Sequence, residues 1–150
     1  MMRKLTATVA VAVVIATPAL AEESIRVFDA WARATILASR PGAAYVTVES
    51  ATEDQLLGVA TPVAGQVMVH AVEKDGDINR MKHIETLDLP AGERITLAPG
   101  GMHLMLMGLQ DKLSEGTTLP MTLSFENAGE ITVEVSVLGI AAEGPREAAE

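Results

Sequence analysis

Beyond residue 24 the chain alternates apolar and polar residues with the two-residue period of β-strands. No stretch carries the 3.6-residue period of a helix longer than a turn or two. The clearest case is Glu130 to Val137 (EITVEVSV), whose odd positions are apolar and whose even positions are polar. Tyr45 to Glu49 reads the same way, with Val46 and Val48 directed inward. Further strands are predicted over Ile25 to Arg33, Ala44 to Ser50, Leu56 to Ala60, Gln66 to Glu73 and Ile78 to Leu87. The series continues with Arg94 to Ala98, Met102 to Leu109, Leu119 to Asn127 and Glu130 to Leu138. Turn residues separate them: Arg40-Pro41-Gly42, Asp75-Gly76, Pro90-Ala91-Gly92, Pro99-Gly100-Gly101 and Asn127-Ala128-Gly129. Many short strands at such spacing, each with one wet face, predict an all-β antiparallel sandwich or Greek-key barrel.

The two ends read differently. Met1-Met2-Arg3-Lys4, an apolar run from Leu5 to Ala16 and a Thr17-Pro18-Ala19-Leu20-Ala21 close form the pattern of a secretory signal peptide, residues 1–21. Its apolar run is short for a permanent bilayer span, and no cysteine follows to carry a lipid. The expected mature domain covers residues 22–140, and Ala141 to Glu150, small and charged, is expected to be disordered. Export to the periplasm is the localisation this implies.

Charge and cysteine usage narrow the function. The chain carries a net −9, and without residues 1–21 it holds 9 basic and 20 acidic residues, a net −11. No basic patch is visible, which argues against nucleic acid and anionic membrane as partners. The absence of cysteine removes disulfides, thiolate nucleophiles and thiolate metal ligands together. No nucleophile–base pair or paired-carboxylate signature stands out, so an enzyme is not expected.

What the chain does concentrate is imidazole and thioether. All three histidines fall between residues 70 and 103, and five of the six methionines outside the leader fall between 68 and 107. Taken singly, each methionine fits core packing and each histidine an ordinary hydrogen-bonded position; the clustering points to a soft, neutral metal site. Such a donor set suits copper(I) over copper(II) or zinc. If Asp75-Gly76 is the turn of a hairpin, His70 and Met81 are directly opposed on one face. His103 and Met105, two apart on a strand, also share a face, with Met107 beyond them and Leu104 and Leu106 on the core side. His83 has the strand parity of Met81, and Met68 and Met107 have the parity to rim the same face.

Written as spacing, His70, Met81, His103 and Met105 give H-x10-M-x21-H-x-M. With Asp29-Ala30-Trp31-Ala32-Arg33-Ala34-Thr35, Leu89-Pro90-Ala91-Gly92 and Pro99-Gly100-Gly101-Met102-His103-Leu104-Met105-Leu106-Met107-Gly108-Leu109, the chain resembles the periplasmic copper chaperones of the PCuAC type from about residue 25 to 140. The resemblance implies a cupredoxin-like β-sandwich that binds one Cu(I) through His70, Met81, His103 and Met105. It also implies delivery to the copper-centre assembly of cytochrome c oxidase, with oxidase subunit II or a Sco-type protein as acceptor. Two departures are visible: Ala71 stands where many relatives have methionine, and the C-terminal tail lacks the histidines and methionines of a second, Cu(II) site. Copper sequestration without delivery needs the same four residues, and a metal-free interaction module would need none. A blue-copper electron carrier is excluded by the missing cysteine.

Overall fold

The computed structural model describes residues 24–145; the predicted leader and the last five residues of the predicted tail lie outside them. Ten strands and no helix form among the described residues. They are β1 Ile25–Arg33, β2 Gly42–Ser50, β3 Asp54–Ala60, β4 Ala64–Asp75, β5 Ile78–Ile84, β6 Leu87–Leu89, β7 Arg94–Thr96, β8 His103–Leu109, β9 Thr118–Phe125 and β10 Gly129–Leu138. Seven of them follow one another round a barrel in the order β4-β8-β2-β1-β10-β9-β3. The ring closes where Val59 of β3 pairs with Val67 of β4. Strand β7 pairs with β2, β6 flanks β3, and β5 extends outward with β4 as its only sheet neighbour among the described residues.

The inward set is what period two predicts. Leu104 and Leu106 of β8, Val135 and Val137 of β10, Leu119, Met121 and Leu123 of β9 and Val46 and Val48 of β2 are all buried in one core. One departure concerns β2, expected to have a wet face: Tyr45 and Thr47 are buried too. Trp31 stacks on Tyr45 at 4.4 Å between ring centroids, and Arg33 lies over the same ring. Thr47 meets Thr96 of β7 on that outer side. An aromatic and guanidinium layer therefore roofs the central strand from outside, which local alternation does not report.

A second departure is directional. Strands β1 and β10 pair in parallel, through Trp31↔Ser136 and Arg33↔Leu138, while all other pairs among the described residues are antiparallel. Parallel neighbours need a long crossover, and here the rest of the domain supplies it. Strand β1 also carries a bulge between Phe28 and Trp31, where Asp29 takes φ 51°. The extra residue switches strand parity: Ile25 and Val27 face the core before it, Ala32 after it.

The predicted strand Ile78 to Leu87 is split. The chain breaks after Ile84, and Leu87 and Leu89 return as β6 to pair with Leu56 and Asp54. Asp54 itself is 3% exposed. Its carboxylate accepts from the backbone N–H groups of Gln55 at 2.8 Å, Asn127 at 2.9 Å and Ala128 at 3.0 Å, tying the start of β3 to the β9–β10 turn. Beyond β10, Arg33 Nε donates to the Ala142 carbonyl at 2.7 Å, so the first residues of the predicted tail are held against the barrel.

Candidate metal centre

All three histidines meet in one row across three strands. His70 on β4 pairs directly with His83 on β5 and with His103 on β8. Its ring stands edge-on to both, at 5.7 Å from each centroid. The row lies on the outside of the barrel, because Val69 and Leu104, the alternate neighbours, fill the core.

The methionines continue this face in both directions. Met105 is directly opposite Met68 on one side of the histidine row. Met81 lies on the other side, opposite Val72. The expectation that His70 and Met81 would be directly opposed is therefore corrected by two residues. The turn is Gly76-Asp77, between the paired Asp75 and Ile78, and φ is positive at Gly76 alone. Glycine at the first central position is the pattern of a type II′ hairpin turn, whereas Asp75-Gly76 would have needed I′ geometry. A two-residue shift preserves parity, so Met81 remains on the His70 face but diagonal to it.

The site grades from sheltered to open. His103 is 9% exposed, His70, Met105 and Met68 are half-buried, His83 is exposed, and Met81 is 63% exposed on edge strand β5. The structure thus brings His70, His103 and Met105 together, and keeps Met81 apart. In regular strand geometry Met81 and Met105 are separated by two inter-strand spacings, about 10 Å, and by four residues along the strand, about 13 Å. For Met81 to join the others on one ion, the β4–β5 hairpin must curl over the row. Among the described residues β5 is an edge strand held in the sheet by β4 alone.

Around the histidines and methionines the face carries no acidic side chain and one cation, Lys74, near the turn. Glu73, Asp75, Arg80 and Lys82 have the opposite parity, and pair among themselves as Lys82–Glu73 and Arg80–Asp75, both at 3.3 Å. The donor face of the hairpin carries Met68, His70, Val72, Asn79, Met81 and His83, with Lys74 near the turn. Among the described residues no three His, Cys, Asp or Glu side chains gather to hold a metal ion.

Burial, followed by the neighbouring His103 and His83, holds the His70 pKa below its ordinary 6.5. Its Nδ1 is buried and has no hydrogen-bond partner among the described residues. An unpaired buried ring nitrogen costs free energy, and in the neutral tautomer protonated at Nε2 this nitrogen presents its lone pair to a metal. Because the unfolded chain binds the His70 proton at higher pH than the folded one, the metal-free protein loses stability as pH falls from 6.5 toward the lowered folded value.

Two residues of this face lie outside the four-residue motif: Met68, which the sequence places in packing or at the rim, and His83, which shares the parity of Met81. Strand parity was the available signal for both. Only the pairing register shows Met68 directly facing Met105, and His83 facing His70.

Comparison with known proteins agrees with this architecture. The family model described as "Putative lipoprotein LpqE-like" matches residues 25–137. A curated relative, "Putative lipoprotein Lxx21020" of Leifsonia xyli subsp. xyli, is 31% identical over 124 residues, covering 81% of this chain and 74% of its own length. Among solved structures, the apo PmoF2 PCuAC domain superposes with a TM-score of 0.67 at 26% identity, covering 81% of this chain and 95% of that one. The copper-bound PCuAC domain from PmoF2 gives 0.66 at 28% identity, over 77% and 93%. The solution structure of Cu(I)-DR1885 from Deinococcus radiodurans gives 0.62 at 32% identity, over 85% of each chain. The cupredoxin-like barrel, its outward row of imidazole and thioether, and these matches lead to one assignment: the chain belongs to the LpqE-like family, of the PCuAC copper-chaperone type.

Proposed function

We propose that this protein is an exported copper(I) carrier that holds one ion through His70, Met81, His103 and Met105 and passes it to the copper-centre assembly of cytochrome c oxidase. The observation that carries the reading is the β4–β8 register: it sets His70 directly against His103, with Met105 beside them and the His70 Nδ1 unsatisfied. Two imidazoles and two thioethers are neutral donors of moderate strength, which select Cu(I) without trapping it. Copper-bound relatives of the same fold support the choice of metal.

The gradient of exposure favours a carrier over a store. A buried imidazole at one end and a methionine 63% exposed at the other leave the ion reachable by an acceptor's ligands. Copper passes by ligand exchange at constant oxidation state: each bond to an acceptor donor forms as one to this site breaks. The acceptor of the stated chemistry is the dinuclear copper domain of oxidase subunit II, or a Sco-type thiol protein that precedes it. Mixing the Cu(I)-loaded protein with a soluble subunit II fragment should move copper to that fragment; no transfer at any ratio would assign the protein to copper buffering instead.

Proton competition gives a second test. The His70 pKa lies below its ordinary 6.5, so Cu(I) affinity should be flat between about pH 8 and 7 and decline on further acidification as protons compete for the imidazoles. Chelator competition across that range reads it. An affinity that rises on acidification would contradict imidazole ligation.

A further inference from the structure

We infer that Met68 is a copper ligand, and that copper occupies two overlapping positions on this wall: an inner one using Met68 and an outer one using Met81. The inference rests on the copper(I)-carrier reading and refines its donor set.

The register supplies the geometry. His70 faces His103, and two residues along the same strands Met68 faces Met105. Directly opposed residues on one sheet face have Cβ atoms about 4.5–5.5 Å apart, and residues two apart on a strand are about 7 Å apart. His70, His103, Met68 and Met105 are therefore the corners of one compact four-donor patch on two adjacent, regularly paired strands. No strand has to move to complete it. Met81 belongs to a third strand and lies across the histidine row from Met105, so it reaches the same ion only with movement of the hairpin.

Packing alone leaves this arrangement without a purpose. Met68 is on the outer face, half-buried, and is absent from the apolar residues that fill or border the core. Val67 and Val69, its neighbours of opposite parity, make those core contacts. Small Ala43 of β2 pairs with Met105 on the side away from Met68, so the Met105 side chain is not crowded from there.

The two positions share His70, His103 and Met105 and differ in one thioether. Moving outward, the bond from copper to the Met68 sulfur breaks as a bond to the Met81 sulfur forms. Coordination number, charge and oxidation state are unchanged, and no proton moves. With the hairpin curled over the row, the exchange replaces a half-buried thioether of the β4–β8 wall by the exposed one of β5, which an acceptor can reach. A neutral-for-neutral swap is also the kind of step that proceeds without a large desolvation barrier, since no charged ligand is created or released.

Leucine variants test this, because Met→Leu nearly conserves volume and leaves the fold standing. Cu(I) affinity would be measured by competition with a colorimetric Cu(I) chelator, and release by the rate of transfer to that chelator. Met68→Leu should lower affinity about 10-fold or more. Met81→Leu should lower affinity less and slow release by a similar factor, and the double variant should lose more affinity than the two singles combined. If Met68→Leu matches wild type in affinity, both alone and in the Met81→Leu background, Met68 is no ligand and the inference falls, while the four-residue motif stands. If His103→Ala also leaves affinity untouched, the copper reading itself has failed, and this inference with it.

Discussion

His103→Ala is expected to lower Cu(I) affinity by about 100-fold or more. Substitutions that only reorient a metal ligand cost about 10–100-fold, and this one removes a donor outright. A 100-fold loss corresponds to about 2.7 kcal/mol. The expected effect exceeds that of either methionine variant for two reasons. Imidazole is the stronger donor of the set, and His103 is the most sheltered of the four proposed ligands at 9% exposure, so water is poorly placed to substitute for it. Since its ring lies on the outer face rather than in the core, the alanine protein should still fold, which circular dichroism would confirm alongside chelator competition. Wild-type affinity in His103→Ala would remove His103 from the site.

Asp54→Ala is expected to produce the largest loss of stability from a single polar change, about 3 kcal/mol and roughly 10 °C in Tm. The side chain is 3% exposed and receives three backbone N–H groups, from Gln55, Asn127 and Ala128. Alanine leaves all three without their acceptor, at about 1–3 kcal/mol for each that water cannot reach. Burial by itself would raise the carboxyl pKa, but the donating backbone groups, led by Asn127, outweigh it and hold the pKa below the ordinary 3.8. The sign follows: a depressed folded pKa contributes stability that is fully present above 3.8 and is lost as pH falls through the folded value. Asp54→Ala should therefore flatten the acid limb of a Tm-against-pH curve as well as lower the curve. An unchanged Tm would show that the β3 cap contributes nothing.

Much of the fold was legible because period two is a local signal. Strand β1 runs from Ile25 to Arg33 as predicted, and the odd positions of β10 turn inward as expected. What local pattern could not report depends on neighbours distant in sequence. Tyr45 and Thr47 are buried because Trp31 and Thr96 cover them. The parallel β1–β10 pair joins the two ends of the domain, and Asp54 acts on a turn more than seventy residues away. For the site, residue types and their shared face could be read from parity, but the hairpin register could not. Gly76 stands in both candidate turns, and which of its neighbours completes the loop is decided by backbone conformation. That choice moves Met81 two residues further from Met105, while the separate β4–β8 register sets Met68 against Met105.

X-ray absorption of the copper-loaded protein tests the central claim most directly, since one spectrum reports oxidation state and the nature of the neighbours. The account predicts a Cu(I) edge with two nitrogen and two sulfur neighbours, sulfur near 2.3 Å and nitrogen near 2.0 Å, values of the order found for soft metals with these donors. The count is the same whether the second sulfur comes from Met68 or Met81. A first shell of nitrogen and oxygen alone, or a Cu(II) edge under reducing conditions, would contradict it.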